Sequence, residues 1–336
     1  MKSFLSLCIN LRKSCFFVLC VALLALNVSG QSAKQAVKLS VEDILKELRV
    51  KKISAAAKNI SLIKKAQAQG LDFIISEEIV HRLKAAGANA ALIKTLYEET
   101  SDYFFDLGYA CREDDEDCQI KNYTGAIKFD RKYANAYYNR GLAYYNKKEY
   151  ENAVTDFNRA IELDPKKADA YSGRGLSYND LGEYDAAIAD FDKAIKLDGK
   201  IGDYYYNRAL AYHNKGEYDQ AILDNTKAIE LVPAESDYFL NRGLAYYEKG
   251  DYPNSIKDYT KAIELNAGNQ TAYYDRGLSY YEMNDNEAAL KDYSKAIELD
   301  PNDSDAYTNR ALVYERLGDE AKAEADRQKA GGMEKP

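Results

Sequence analysis

With 336 residues and a formal net charge of −8, the chain lacks the basic footprint that a general nucleic-acid binder needs. Its 46% hydrophobic and 30% charged positions are those of an ordinary folded protein. The first segment stands apart. Lys2, Arg12 and Lys13 form a positive leader without acidic residues, followed by the apolar run from Cys15 to Leu26 and the small-residue stretch Asn27–Gly30. This is the layout of a secretory signal peptide over residues 1–30, cleaved after Gly30. The apolar run falls short of the roughly 20 residues that a comfortable membrane span needs, so an uncleaved membrane anchor is the alternative. A lipoprotein reading fails because Leu19, which is not small, precedes Cys20. The expected localisation is periplasmic or secreted.

Residues 37–98 read as a small helical domain. Ser40 starts the first helix, with Val41, Ile44, Leu45 and Leu48 on one stripe. A second helix runs from about Ser54 to Ala68, and a third begins at Ser76, whose hydroxyl suits an N-terminal cap. The third ends at Ala86–Gly87, and Asn89 starts a fourth with Leu92, Ile93 and Leu96 facing inward. Through Gly70, Phe73, Leu83, Gly87, Ala88, Leu92 and Ile93 this stretch resembles a small helical module that precedes repeat arrays in some exported bacterial proteins. Charge divides the chain at the same place: residues 34–98 carry a net +5, and residues 99–336 about −16.

From residue 101 a 34-residue period takes over, giving copies at 101–133, 134–167, 168–201, 202–235, 236–269, 270–303 and 304–330. A period of this size means stacked supersecondary units. Positions 4, 8, 11, 20, 24 and 27 of each copy are read as apolar or small so that two antiparallel helices, A and B, can meet. Tyr137, Gly141, Tyr144, Ala153, Phe157 and Ala160 illustrate this. Pro165, Pro233 and Pro301 end helix B, and Gly182, Gly216, Gly250 and Gly318 turn the chain between helices. In the first copy Cys111 falls late in helix A and Cys118 early in helix B. In an exported protein that pair is a disulfide candidate, and no His or further Cys stands near for a metal.

Position 7 is arginine and position 23 aspartate in six copies: Arg140 with Asp156, Arg174 with Asp190, Arg208 with Asp224, Arg242 with Asp258, Arg276 with Asp292, and Arg310 with Asp326. These are expected to form a structural ladder of ion pairs whose role is stacking register rather than net stability. The first copy carries Leu107 and Asn122 instead, so both partners change together. Glu324 and Arg327 give the last copy a wet outer face, as an end cap needs.

These motifs resemble the tetratricopeptide-repeat family, which implies an all-α fold: a right-handed α-solenoid of stacked helix-turn-helix units behind a small helical domain. The resemblance also implies a concave face built by helix A. Its peptide-binding groove would have a leucine floor (Leu142, Leu176, Leu210, Leu244, Leu278, Leu312) and tyrosines (Tyr138, Tyr145, Tyr206, Tyr247, Tyr274, Tyr281) with His213 among them. A position-6 row of Asn139, Asn207, Asn241 and Asn309, broken by Gly173 and Asp275, is similar to the asparagine ladder in the repeat domain of O-linked N-acetylglucosamine transferase. Such amides can hold the backbone of an extended peptide whatever its sequence. Position 2 is mostly acidic (Asp169, Asp203, Asp237, Asp305), so a neutral or basic segment is expected and the carboxylate clamp of chaperone co-factors is contradicted.

The two histidines, His81 and His213, lie far apart, and no phosphate loop, nucleophile motif or metal spacing occurs. The expectation is therefore an exported non-enzymatic scaffold or adaptor without cofactors, binding a protein or peptide partner and no nucleic acid. The alternatives are a regulatory or targeting subunit of an envelope enzyme complex, or a self-associating structural protein whose acidic array docks on another copy's basic head.

Overall fold

The computed structural model describes residues 38–50, 55–69, 71 and 74–333, so the leader and the run Asn27–Gly30 lie outside the described residues. Among the described residues there are seventeen helices, and none is long and apolar enough to cross a membrane. The fold is all-α, with consecutive helix pairs stacked as a solenoid, and the chain divides into two compact units between Glu99 and Thr100.

The first unit holds α1 (Val41–Leu48), α2 (Ala55–Gln69), α3 (Glu77–Ala85) and the start of α4 (Ala90–Ala110). Ser40 and Asp43 form a capping box at α1, and the Ser76 hydroxyl accepts from the Ile79 N–H to cap α3. Ile44, Leu45, Leu62, Leu83, Leu92 and Leu96 are fully buried. Asn59 is buried among them and pins the turn before α4, accepting from the Asn89 N–H at 2.9 Å and donating to the Gly87 carbonyl at 3.2 Å. α4 is one helix of 21 residues and runs through the interval 98–101 at which the sequence reading placed a domain boundary.

In the second unit α5 is Glu116–Phe129. It packs on the end of α4 through Phe105 against Tyr123 and through the Ser101 hydroxyl, which donates to the Ala126 carbonyl. Cys111 and Cys118 are joined by a disulfide with Cα atoms 6.0 Å apart, closing the loop between these helices. Six regular pairs follow: α6 (Ala134–Asn146) with α7 (Tyr150–Leu163), α8 (Ala168–Asp180) with α9 (Tyr184–Leu197), α10 (Gly202–Asn214) with α11 (Tyr218–Leu231), α12 (Ser236–Glu248) with α13 (Tyr252–Leu265), α14 (Gln270–Glu282) with α15 (Asn286–Leu299), and α16 (Ser304–Arg316) with α17 (Glu320–Met333). Each helix packs on its sequence neighbours, and each A helix of these pairs also touches the A helix of the next pair. The A helices therefore crowd together on one face, which makes it the inner, concave one. Four of the turns from A to B use a glycine at positive φ, whereas Lys148 and Asn284 take that left-handed conformation at φ 61°.

Two contacts repeat through the stack. The first joins positions 7 and 23: Arg140 Nε donates to Asp156 Oδ2 at 2.6 Å and Nη2 to Oδ1 at 2.8 Å, and the same bidentate bond recurs at the other five arginines. The aspartates are buried and the arginines half-buried. Each guanidinium has a third partner, position 25 of the preceding repeat, reached by Nη1: Thr124, Asn158, Asp192, Thr226, Thr260 or Ser294. The sequence-based reading allowed the fork two carboxylates; only Arg208 has them, and the others reach a hydroxyl or an amide. Rings at positions 4 and 11 flank the cation, with Tyr137 and Tyr144 centred 5.7 and 5.9 Å from the Arg140 guanidinium carbon.

The second contact joins positions 8 and 24. A Cβ on Gly141, Gly175, Gly243 or Gly277 would lie 2.8–2.9 Å from the ring at position 24 of its own repeat (Phe157, Phe191, Tyr259 or Tyr293). Where position 8 is alanine, at Ala209 and Ala311, position 24 is Asn225 or Arg327, which is not a ring. Asn225 departs from the apolar expectation at position 24: it is fully buried and satisfied, donating to the Ala221 carbonyl at 3.0 Å. Arg327 of the end repeat is exposed and pairs with Glu315 and Glu324.

Replacing Arg276 with alanine leaves Asp292 buried without its cation, and urea unfolding is expected to show a loss of about 3 kcal/mol. The double change Arg276→Leu/Asp292→Asn, copying Leu107 and Asn122 of the first repeat, is expected to recover at least half of it. Substituting Cys118 with serine opens a short loop, so hydrogen exchange should quicken in the first turn of α5 and stay unchanged from α8 onward.

Candidate functional site

The inner face is set by which groups helix A can turn towards it once positions 4, 7, 8 and 11 are committed to packing. The position-9 leucines are half-buried in five copies and exposed at Leu312, which gives a largely continuous apolar floor. Along it the position-6 residues are not equivalent. Asn139 and Asn207 are half-buried and make no hydrogen bond of their own to protein among the described residues. Asn241 is only 6% exposed, and its Nδ2 donates to Asn225 Oδ1 at 3.3 Å. Asn309 donates to the Tyr274 hydroxyl at 2.7 Å. Two of the four amides are thus turned towards protein partners.

For Asn241 the partner is position 24 of the preceding repeat, on which position 6 sits; for Asn309 it is position 5. A Cβ at Gly173 would meet the Phe157 ring, as that ring is placed, at 2.7 Å, and the row is interrupted there. Asn241 meets Asn225 by the same geometry. Asp275 occupies the corresponding place over Tyr259: it is half-buried and makes no side-chain hydrogen bond among the described residues, and burial pushes its carboxyl up to about 7. The Tyr259 and Tyr293 hydroxyls are fully buried without a partner.

The tyrosines of positions 5 and 12 are also placed individually. Tyr138 lies under Lys167, whose Nζ is 4.5 Å from the ring centre, and Tyr206 packs on Tyr238 at 5.2 Å. Tyr145 packs on Tyr150, and Tyr247 on Tyr252, each at 5.6 Å. Tyr274 packs on Tyr293 at 5.9 Å, and Tyr281 is covered by the Arg316 guanidinium at 3.6 Å. His213 packs on Tyr218 at 5.3 Å, and its Nε2 is buried without a partner. Along the rim Asp169 accepts from the Tyr204 hydroxyl and Asp203 from the Tyr238 hydroxyl, while Asp237 and Asp305 are exposed. The rim stays acidic, and the face as a whole offers amide, apolar and carboxylate groups rather than a nucleophile with a base. No cluster of three or more potential metal ligands occurs among the described residues.

Family models described as tetratricopeptide repeat match residues 134–167, 168–200 and 202–234, and a model described as TPR repeat matches 243–284 and 277–318; together they span more than half of the chain. No curated protein matches it. Among solved structures, a tetratricopeptide repeat protein from Parabacteroides merdae is 19% identical with a TM-score of 0.56, covering 71% of this chain and 93% of that one. The Pseudomonas aeruginosa protein pilF is also 19% identical, with a TM-score of 0.54, covering 61% of this chain and 93% of that one. YrrB, described as a TPR protein with an unusual peptide-binding site, is 25% identical with a TM-score of 0.47 and covers 56% and 96%. The likeness to the first two concerns the fold alone. With the repeat positions, the helix pairing and the family models in agreement, the chain belongs to the tetratricopeptide-repeat family.

Proposed function

We propose that this chain is an exported, non-enzymatic scaffold that holds an extended protein segment on the concave face of its repeat array. Tetratricopeptide repeats generally serve as surfaces for protein interaction, because stacked helix pairs make an extended groove rather than an enclosed cavity. The observation that carries the reading here is the pair Asn139 and Asn207. Both lie half-buried above the leucine floor with donor and acceptor free, and an amide so placed can pair with the backbone of a passing strand. The acidic rim favours a neutral or basic segment over an anionic one. The leader at residues 1–30 and the disulfide between Cys111 and Cys118 support export, since such bridges persist in oxidising compartments.

Affinity capture from envelope extract with the wild-type chain and with Asn139→Ala/Asn207→Ala tests this directly. The double variant is expected to stay fully helical and to lose at least tenfold in affinity for the partner that the wild type enriches. An unchanged partner set would refute the groove. Asn241→Ala behaves differently in this account: it removes a bond to buried Asn225 and lowers stability by about 1–2 kcal/mol in urea unfolding.

A further inference from the structure

The position-6 row becomes acidic at Asp275 on α14, beside α12. We propose that this part of the concave face holds the guanidinium of a partner's arginine, stacked on the Tyr247 ring and paired with the Asp275 and Glu282 carboxylates. The inference rests on the reading of the concave face as a peptide groove and names one side chain that this groove selects.

Two independent features point there. The first is a buried hydroxyl without a partner beside a carboxyl that makes no side-chain hydrogen bond. Position 24 of each repeat meets position 6 of the next, as Phe157 against Gly173 and Asn225 against Asn241 show. By that geometry the Tyr259 hydroxyl, fully buried and without a hydrogen-bond partner, lies near Asp275, whose carboxyl makes no side-chain hydrogen bond among the described residues. A buried hydroxyl without a partner and a half-buried carboxyl that burial disfavours as an anion are both destabilising in the empty groove. A cation resting on Asp275 keeps it ionised, and the carboxylate can then accept from Tyr259 as well.

The second feature is an arginine that the array itself places one repeat further on. Position 12 of one repeat neighbours position 13 of the next, and at Tyr281 that neighbour is Arg316. Its guanidinium lies 3.6 Å from the ring centre, and Nη1 donates to the Tyr281 carbonyl at 2.9 Å and to Asn284 Oδ1 at 3.0 Å. At Tyr247 the corresponding residue is Glu282. The Tyr247 hydroxyl is raised above the ordinary phenol range by burial first, then by Glu282, with Glu248 and Asp275 adding to it. Ring and carboxylates are therefore present at Tyr247, and among the described residues no cation stands where Arg316 completes the arrangement at Tyr281. Arginine fits better than lysine because its planar fork stacks on a ring while serving two carboxylates.

The test is selection of a random 12-residue peptide library on the full chain and on Asp275→Asn/Glu282→Gln. Asparagine is already the position-6 residue of four other copies, so the variant is expected to fold, which circular dichroism checks. The wild type should enrich arginine at one fixed register position, and the variant should select peptides without it. A selected peptide should bind the variant at least tenfold more weakly, while its Arg→Gln counterpart binds both proteins alike. Peptides selected by the wild type without an arginine preference, or a preference unchanged in the variant, would overturn the arginine site and leave the groove standing. Failure of the wild type to select any peptide would sink the groove reading and this inference with it.

Discussion

Everything in the repeat array depends on the half-buried arginine at position 7. Its fork fixes the angle between helices A and B of one repeat through a bidentate bond to a buried aspartate, and its remaining nitrogen reaches helix B of the repeat before. One side chain thus sets both the intra-repeat and the inter-repeat geometry. Taking the pair out of water offsets much of the attraction, so the arrangement contributes register more than net stability. Flanking rings at positions 4 and 11 cover the cation's faces and account for many of the tyrosines.

Close approach of the helices then decides what the concave face can offer. A ring at position 24 demands glycine at position 8 of its own repeat, and its tip lies under position 6 of the next. Groove residues are therefore chosen jointly with core residues. Phe157 fills the space beside Gly173; Asn225 draws Asn241 inward; Tyr259 leaves Asp275 over an unpartnered hydroxyl. The core beneath the groove therefore helps to set its surface, and near-identical repeats present different groups along it.

Period, helix boundaries and the position-7 and position-23 pairs were legible because repetition supplies an internal comparison at every position. The third contact of each arginine was not read, although a side chain able to accept a hydrogen bond stands at position 25 before every one of them; the 16-residue reach backwards crosses a repeat boundary. Asn241 and Asn309 looked equivalent to Asn139 and Asn207 because a one-dimensional alignment carries no information about what lies below a residue. The change of pattern at Thr100–Asp102 was read as a domain boundary; the segment contains no glycine or proline, and α4 runs through it unbroken. The helical caps at Ser40 and Ser76 needed only local chemistry and were readable directly.

The central claim is that the inner face of the A helices, rather than the outer surface, receives the partner. Site-specific photocrosslinking tests this most directly, with one photoreactive residue at Tyr206 on the inner face and another at Leu223, which is 70% exposed on helix α11. The account predicts a covalent adduct with the partner from position 206 and none from position 223. An adduct from 223 alone would contradict it and move the interaction to the outer helices.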